Sequence, residues 1–503
     1  MPLTMSVSDL TEHNPWWLDS AAIAQDRMIS DYDASSFKWD PRLKKTFQWD
    51  ADVIYVLRGP RQVGKSTLLK LQIRDFIRSG TQPRRVFYWP CDLVGGPENL
   101  VAIVSAYLDL TRRDQTGRSY IFLDEISSVR DWQKGIKSLY DSGRLRNCTV
   151  VLTGSHSIDL RKASETLARR RGDVHRLKDQ LPDKILLPMK FSEYVDERSE
   201  IIGKFVLDLD LLKRERRHTI WSQICQGSLP KEIKELEIVG KGVQQLFDEF
   251  LITGGIPKTI DTYLTTGSIS RDIYDGYVEL LLRDITRWNG NELFLRQIVR
   301  RLADTLATPV TLNNLREETD VSSHHTTGTY LDFLRDSFVV TAIHKLDKNK
   351  DAPVFRNSRK VHFEDPFLFH ALRAWSLGRD PYRETLNFLS ESDRTAKLVE
   401  CVVAGHLVRL LFSYQPSAQF DYTNHLFHWQ SNKRQLDFAV RMDTGYLPIE
   451  VKYQNKISAE DAQPIADFQK GGKSTKGLLL TKDTLGEKRS HLEIPVALCL
   501  MLI

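Results

Sequence analysis

Short apolar runs alternate with longer amphipathic segments between about residues 50 and 195, and this alternation predicts strands joined by helices. Strands that alternate with helices favour a parallel α/β sheet. In such a sheet the carboxyl ends of the strands lie at one edge, where open α/β folds bind their ligands. The predicted strands are residues 53–57, 86–89, 120–123, 149–153 and 184–187.

The pattern changes after residue 195 and becomes mostly helical up to about residue 290. Residues 291–345 continue as helices with a turn near Asp320, and residues 338–343 then read as a strand. Helix, turn, helix and strand in this order predict a winged helix, whose second helix can enter the major groove of DNA. Winged helices also serve as protein-packing modules, so both interpretations stay open. From about residue 385 a helix is followed by further predicted strands.

A glycine-rich loop lies between the first strand and a predicted helix over residues 67–73. Its sequence fits the pattern G-x-x-x-x-G-K-[ST]. The glycines let the backbone curl so that successive N–H groups point at one anion, and the helix N-terminus adds partial positive charge. We predict that ATP binds here, with Lys65 at the β- and γ-phosphates and Ser66 on Mg²⁺. The residues predicted to form this loop site are Gly59, Pro60, Arg61, Gln62, Val63, Gly64, Lys65, Ser66 and Thr67.

Two acidic residues follow the predicted strand at residues 120–123. Asp124 is predicted to belong to the nucleotide site and to complete the Mg²⁺ shell through water. Glu125 is placed to orient or deprotonate the attacking water. The alternative is a solvated strand end, and the phosphate loop in the same predicted sheet argues against it.

The next strand ends in polar side chains beside this acidic pair. Ser155 is the first candidate for a contact with the γ-phosphate or the attacking water, and Thr153 is the second; the alternative is a serine turn. Downstream, Arg170 and Arg171 are candidates for an arginine finger, which stabilises charge on a transferred phosphoryl group. Such a finger often comes from a neighbouring subunit and would imply a homo-oligomer. A surface salt-bridge face is the alternative for these arginines.

These motifs resemble a family of archaeal and bacterial AAA-type P-loop ATPases of largely unknown function. The resemblance implies ATP binding, a winged-helix segment and a C-terminal domain of unknown function with a restriction-endonuclease-like core. One position departs from the family pattern, because Arg169 stands where a glycine is common. The matching residues extend over nearly the whole chain and are 59–66, 122–125, 153–155, 187–194, 254–257, 363–366 and 449–452.

The pattern and the resemblance together predict an α/β protein in five parts. They are an N-terminal brace (residues 1–49), an AAA-type ATPase core with a parallel sheet (50–195), a helical lid (196–290), a winged-helix-like domain (291–384) and an α/β restriction-endonuclease-like domain (385–503).

Four charged residues in the C-terminal part occur in the order that a metal-dependent nuclease needs. Glu400 falls on a predicted helix, Asp437 near the start of a strand, and Glu450 and Lys452 on the same face of the next strand. The three carboxylates are candidate ligands for Mg²⁺ or Mn²⁺, and Lys452 is a candidate for activating the attacking water. The alternative is a retained fold without cleavage, because Glu-x-Lys is common on strands that face solvent.

Composition narrows the class of protein. The hydrophobic fraction of 41% and the charged fraction of 27% are ordinary for a soluble globular protein. No apolar run approaches the roughly 18–20 residues of a membrane span, and the N-terminus lacks the pattern of a secretory signal. Five widely spaced cysteines argue against a disulfide framework or a zinc site. We therefore expect a cytoplasmic protein without a membrane partner, whose net charge of +5 permits DNA binding without requiring it.

The leading hypothesis is Mg²⁺-dependent ATP hydrolysis coupled to the binding or remodelling of DNA, with cleavage by the C-terminal domain as a further activity. Branched DNA is the substrate class that analogy favours. The alternative is an ATP-operated switch or scaffold that binds a protein partner and carries an inactive nuclease-like domain. DNA binding should weaken steeply with salt, whereas the ATPase of a switch should ignore DNA.

Overall fold

The computed structural model describes residues 6–112, 117–154, 167, 170–177, 181–417, 420–431, 434–443, 445–470, 472, 474 and 476–503. The chain divides into two compact units at residues 187 and 188. Within the described part of the chain, no helix is both long and apolar enough to cross a membrane.

The first unit contains a five-stranded parallel sheet, as the alternating pattern predicts. The order of its strands is β2-β3-β4-β1-β5, so β1 lies between β4 and β5. The five strands are β1 Ile54–Arg58, β2 Val86–Pro90, β3 Ser119–Asp124, β4 Cys148–Thr153 and β5 Asp183–Ile185. The described α-helices of this unit are Val7–Glu12, Arg27–Ala34, Lys65–Arg78, Pro97–Arg112 and Trp132–Asp141.

The N-terminal segment contacts β2, which is an edge strand of this sheet. The Tyr88 N–H donates to Oδ1 of Asn14 at 2.7 Å, and Nδ2 of Asn14 donates to the Tyr88 carbonyl at 3.0 Å. The indole N–H groups of Trp16 and Trp17 donate to the carbonyl oxygen of Val86 at 3.0 and 2.9 Å. Side chains thereby satisfy backbone groups that an edge strand otherwise leaves open.

The second unit contains a nine-stranded mixed sheet. Its strand order is β13-β14-β12-β11-β10-β9-β7-β8-β6, with β11, β12 and β14 parallel to one another. The strands are β6 Pro309–Val310, β7 Val340–Asp347, β8 Ala352–Phe363, β9 Leu426–Gln430, β10 Gln435–Met442, β11 Gly445–Lys452, β12 Gly477–Thr481, β13 Gly486–Glu487 and β14 His491–Pro495.

Helices precede, interrupt and follow the strands of this second sheet. The described α-helices are Phe191–Arg198, Glu200–Asp208, Arg214–Cys225, Lys231–Leu236, Gly240–Thr253, Pro257–Thr266, Arg271–Arg287, Glu292–Asp304, Leu312–Arg316, His324–Asp336, Pro366–Leu377, Pro381–Leu389, Ser392–Tyr414, Gln463–Gln469 and Val496–Leu500.

The elements between residues 292 and 363 follow the order that a winged helix requires. A helix, the short strand β6 and two further helices lead into the β7–β8 hairpin, and β6 pairs with β8. The hairpin also joins the C-terminal strands, because β7 pairs with β9 through His344 and Phe427. The predicted boundary at residue 384 therefore separates elements that share one sheet, and the five-part division stays a prediction.

Two motifs of the family resemblance, residues 254–257 and 363–366, meet in the second unit. The Gly255 N–H donates to Oδ2 of Asp365 at 2.7 Å, and Oδ1 of Asp365 accepts from the Phe367 N–H at 2.9 Å. A Cβ at Gly254, whose φ is +61°, would lie 2.1 Å from Oδ1 of Asp365. The glycine is therefore required by the close approach of this carboxylate, which caps the helix Pro366–Leu377.

Two buried histidines make the stability of the second unit sensitive to acid. Nδ1 of His406 donates to the Val402 carbonyl at 2.8 Å, and Nε2 accepts from the Phe191 N–H at 3.0 Å, which fixes a neutral ring. Nε2 of His370 lies 3.0 Å from the Leu251 carbonyl. Burial lowers the pKa of His406 to about 3 and the pKa of His370 to about 4, both below the ordinary 6.5.

We expect the free energy of unfolding of this unit to fall as the pH drops from 6.5 towards 4. In this window a histidine of the unfolded chain binds a proton and the same residue in the folded protein does not. Each of the two histidines therefore lowers the free energy of unfolding by up to about 1.4 kcal/mol per pH unit. Above pH 6.5 the contribution is fully present. Denaturant unfolding across this range measures the slope, which His406→Gln should reduce. The matched change His175→Gln, at an exposed site, should leave the slope unchanged; equal slopes in all three proteins would contradict the prediction.

Candidate nucleotide site and C-terminal carboxylate cluster

The glycine-rich loop connects β1 to the helix Lys65–Arg78 in a tightly curled path. The φ of Gly59 is +152°, and a Cβ there would lie 2.0 Å from the Leu186 carbonyl oxygen. The φ of Gly64 is +97°, and a Cβ there would meet no atom of the described residues within 4 Å. The first glycine is therefore required by packing, while the second borders open space at the start of the helix.

Lys65 points its ammonium into the concave side of this loop. Nζ donates to the carbonyl oxygens of Gly59 and Pro60 at 2.9 and 2.8 Å, and the residue is 5% exposed. Ser66 and Thr67 follow in the first helical turn and are half-buried. A buried cation, a helix N-terminus and a hydroxyl thus lie in one stretch of the chain, which is the donor set that suits a polyphosphate.

Asp124 ends β3 at the same edge of the sheet and is held by two hydroxyl groups. The Tyr88 hydroxyl donates to Oδ2 at 2.9 Å, and the Thr153 hydroxyl donates to Oδ1. Thr153 also accepts from the Glu125 N–H at 3.1 Å. Thr153, the second candidate from the sequence, therefore contacts both residues of the acidic pair. Ser155, the first candidate, lies outside the described residues.

The acidic pair has a further carboxylate nearby that sequence reasoning missed. Asp92 follows β2, and burial together with the charges of Glu125 and Asp124 raises the pKa of its carboxyl. Glu125 itself has a φ of +51°, an unusual conformation for a residue with a side chain. The adjacent parallel strands β2 and β3 were the signal in the sequence that could have found Asp92, because their carboxyl ends lie side by side at one edge of the sheet.

Tyr88 connects this site to the N-terminal segment. Nζ of Lys70 lies 3.5 Å from the centre of the Tyr88 ring and 2.9 Å from Oδ2 of Asp26. It also lies 5.1 Å from the centre of the Trp16 ring. Burial lowers the pKa of Lys70, while the charge of Asp26 acts in the opposite direction. The side chain that orients Asp124 thus packs against a buried ion pair between the phosphate-loop helix and residues preceding the sheet.

The two candidate finger arginines lie away from the glycine-rich loop. Arg171 is 6% exposed, and its guanidinium pairs with both carboxylate oxygens of Asp183 at 2.5 and 3.2 Å. Its carbonyl accepts from the Ile54 N–H, which places it at the amino ends of β1 and β5. Nε of Arg170 donates to Oδ1 of Asp141 at 2.7 Å. The structure therefore gives Arg171 a buried pairing role and does not bring either arginine to the loop of its own chain.

The C-terminal candidates do come together. Glu400 lies on the helix Ser392–Tyr414, Asp437 on β10, and Glu450 and Lys452 on β11. Nζ of Lys452 donates to Oε1 of Glu450 at 2.7 Å, as expected for neighbours on one face of a strand. Oδ2 of Asp437 accepts from the Val451 N–H at 2.9 Å, and Oε2 of Glu450 accepts from the Asp437 N–H at 3.2 Å.

A lysine that sequence reasoning missed lies among these carboxylates. Lys360, on β8, is 1% exposed and donates to Oε1 of Glu400 at 2.9 Å and to Oδ1 of Asp437 at 2.7 Å. Nε2 of His362 lies 3.1 Å from the same Glu400 oxygen. Lys360 and His362 are two residues apart on one strand and share a face, which was the available signal.

These residues do not fit the predicted metal site. Across the part of the chain that the structure describes, no group of three or more His, Cys, Asp and Glu side chains has an arrangement that could hold a metal ion. The physical reason is the Lys360 ammonium, which already pairs with Glu400 and Asp437. The expectation that Glu400, Asp437 and Glu450 bind Mg²⁺ or Mn²⁺ is therefore not supported.

The surroundings of the cluster shift the pKa values of Asp437 and Glu450 in opposite directions. Burial raises the pKa of Asp437, yet the charges of Lys360 and Lys452 outweigh it and hold this pKa below its usual value. Burial and the charge of Asp437 raise the pKa of Glu450 to about 8.

Comparison with known proteins identifies two segments of the chain. A family model described as an AAA domain matches residues 51–195, and a domain of unknown function, DUF8612, matches residues 244–380. An uncharacterised protein of Methanocaldococcus jannaschii is 33% identical over 231 residues, which are 42% of this chain and 45% of that protein. The match thus spans less than half the length of this relative. An uncharacterised protein of Haemophilus influenzae is 23% identical over 336 residues, covering 64% of this chain and 70% of that protein.

Solved structures give only a distant likeness. The Aeropyrum pernix ORC1 protein in complex with DNA is 11% identical, covers 76% of this chain and 95% of its own, and has a TM-score of 0.28. The Thermotoga maritima RuvB Holliday junction branch migration motor is 18% identical, covers 67% and 89%, and has a TM-score of 0.23. Because these TM-scores are low, the likeness does not contribute to identifying the AAA domain. That identification rests on the family match and on the geometry of the glycine-rich loop.

Proposed function

Because residues 51–195 belong to the AAA-type P-loop ATPases, we propose that the protein hydrolyses ATP with Mg²⁺ at the loop of residues 59–66 and couples this turnover to DNA. The observation that carries the proposal is the arrangement around Asp124. Two hydroxyl groups orient this carboxylate at the sheet edge that also carries the loop, the Lys65 ammonium and Glu125.

The residues of the loop fit a nucleotide with a bound cation. Backbone N–H groups at the start of the helix Lys65–Arg78 would hold phosphate oxygens, and Lys65 would exchange two neutral carbonyl partners for charged ones. The Ser66 hydroxyl and, through water, Asp124 would hold Mg²⁺, which when bound supplies positive charge to the phosphate oxygens. Arg61, Gln62 and the rest of the loop would surround the phosphates.

Glu125 would orient the attacking water and accept its proton. The backbone N–H of Glu125 donates to the Thr153 hydroxyl, and the same hydroxyl donates to Asp124. A single threonine therefore sets the relative position of the two acidic groups. Ser155 stays a proposal for the γ-phosphate contact, and Arg170 stays a proposal for a finger supplied to a second subunit of an oligomer.

The proposal of a DNA partner rests on the segment between residues 292 and 363. Its elements follow winged-helix order, with Lys350 exposed at the turn of the hairpin and Arg356 exposed on β8. His324 and His325 are exposed in the first turn of the third helix of the segment, which directly precedes the hairpin. These positions suit contacts with phosphates and with a groove, and branched DNA is the finer substrate class that we propose.

The test measures ATP hydrolysis by the full chain with duplex, four-way and single-stranded DNA at several salt concentrations. We expect DNA to raise the rate, with an apparent affinity that falls steeply with salt. Replacing both Lys350 and Arg356 with alanine should weaken binding to all sequences and flatten the salt dependence, because two phosphate contacts are lost. The matched pair Lys241→Ala and Arg383→Ala, also exposed, should change neither.

A second candidate function is an ATP-operated switch that binds a protein partner. The observation that favours it is Lys360, because a nuclease-like site filled by an ammonium group fits a domain that does not cleave. ATP hydrolysis that is normal in rate and indifferent to every DNA tested would favour this candidate over the DNA-coupled ATPase.

A further inference from the structure

We infer that Lys360 serves as the internal cation of the C-terminal cluster, in the place that the sequence assigns to a divalent metal ion, and that this domain works without a bound metal. The inference concerns residues 360–452 and does not depend on the ATPase site. It also excludes metal-dependent cleavage by this cluster, an activity that the order of its charged residues predicts.

The position of the ammonium group is the first argument. Lys360 is 1% exposed, and its Nζ donates to carboxylates that come from a helix and from a separate strand. The distances of 2.9 Å to Glu400 and 2.7 Å to Asp437 are those of charge-assisted hydrogen bonds. One buried cation thus bridges two carboxylates, which is the electrostatic task of a metal ion in such a site.

The other carboxylate oxygen of Asp437 and the two oxygens of Glu450 also have partners within the protein. Oδ2 of Asp437 accepts from a backbone N–H, and both oxygens of Glu450 accept, one from Lys452 and one from the Asp437 N–H. A divalent ion that used these oxygens would lie against the Lys360 ammonium. Repulsion between like charges in a buried site makes that arrangement unfavourable unless the lysine leaves.

The position of Lys360 within the sheet keeps its side chain beside the carboxylates. Lys360 lies on β8, paired with Ile343 of β7 on one side and with Pro309 of β6 on the other. His362, two residues further on the same strand, also lies beside Glu400. The cation is therefore supplied by a strand within a paired sheet and by a side chain that solvent does not reach, rather than by a surface lysine that could swing aside.

The experiment titrates Mn²⁺ into the full chain without nucleotide, in a Ser66→Ala background that weakens the loop site, and follows free Mn²⁺ by electron paramagnetic resonance. The parent should show no site at the cluster. Lys360→Ala should bind Mn²⁺ at least about tenfold more tightly, because the freed carboxylates then need a cation. Mn²⁺ should also raise the Tm of this variant and leave that of the parent unchanged. Lys241→Ala, at an exposed position of the same unit, is the matched control and should behave as the parent.

Lys360→Gln is the second variant, in case the alanine variant does not fold, because its amide keeps a hydrogen-bond donor but carries no charge. Folded variants that bind Mn²⁺ no better than the parent would overturn the inference. So would Mn²⁺ binding by the parent that disappears in Asp437→Asn. If neither variant folds, the parent decides alone: absence of binding supports the inference, and binding that depends on Asp437 refutes it.

Discussion

The Lys65→Ala variant is expected to lose ATP hydrolysis by about 100-fold or more. Nζ of Lys65 is buried on the concave side of the loop and is placed to neutralise charge on the transferred phosphoryl group. Removing one preorganised donor of this kind costs about 100–1,000-fold in rate at other enzyme sites. Phosphate release under saturating ATP and Mg²⁺ measures the effect.

The control for this change is Lys134→Ala, which removes an exposed lysine of the same unit. It should hydrolyse ATP at the parent rate. Circular dichroism and thermal unfolding of both variants should match the parent, because the two hydrogen bonds from Lys65 go to carbonyl oxygens of the loop and not to the sheet. A Lys65→Ala protein that is folded and still hydrolyses ATP normally would refute the assignment of the loop.

The Lys360→Met variant is expected to lower the free energy of unfolding of the second unit by about 3–5 kcal/mol. Methionine fills a similar volume but leaves Glu400 and Asp437 buried and facing each other without a cation. Breaking a buried ion pair by removing one partner leaves an uncompensated charge, which is the reason for the large cost. Urea unfolding in the presence of EDTA near neutral pH measures this difference.

Two comparisons separate loss of charge balance from loss of packing. Lys350→Met changes an exposed lysine at the turn of the same hairpin and should cost little stability. Combining Lys360→Met with Glu400→Gln and Asp437→Asn removes all three charges and should recover most of the lost stability. A single variant as stable as the parent would contradict the bridging role, whereas a triple variant as unstable as the single one would assign the cost to packing.

The sequence was informative about the first unit because its signals are local. A strand, a glycine-rich turn and a helix follow one another within 25 residues, and each apolar run that alternation predicts as a strand is a strand of the sheet. The acidic pair follows the end of β3, so its place at the carboxyl edge comes directly from the parallel topology. Thr153 could be named for the same reason.

Partners that are distant in the chain could not be predicted in this way. Arg171 reads as an exposed basic residue, but in the fold it is buried against Asp183, and nothing in its neighbourhood announces that pairing. Lys360 lies 40 residues before Glu400 and 77 before Asp437. Alternation on β8 can indicate which face Lys360 occupies, but only the packed sheet places that face against the carboxylates.

The C-terminal cluster illustrates a more general limit of motif reading. The order of Glu400, Asp437, Glu450 and Lys452 describes the acids that a metal ion needs, and the structure does bring them together. The same acids are equally consistent with a cation supplied by the chain. A motif lists the negative charges of a site, whereas the identity of the positive charge depends on tertiary packing.

The hydrogen bonds from the N-terminal segment to the edge strand β2 of the first sheet have a consequence for self-association. An open edge strand is a template on which another chain can add a strand, and such addition leads to aggregates. Along β2 the amide of Asn14 and the indoles of Trp16 and Trp17 occupy backbone groups that such a strand would use. These side chains form hydrogen bonds with the backbone of β2, and as side chains they do not form another edge to which a strand could add. The segment before the sheet therefore leaves fewer backbone groups of β2 open to intermolecular β-addition.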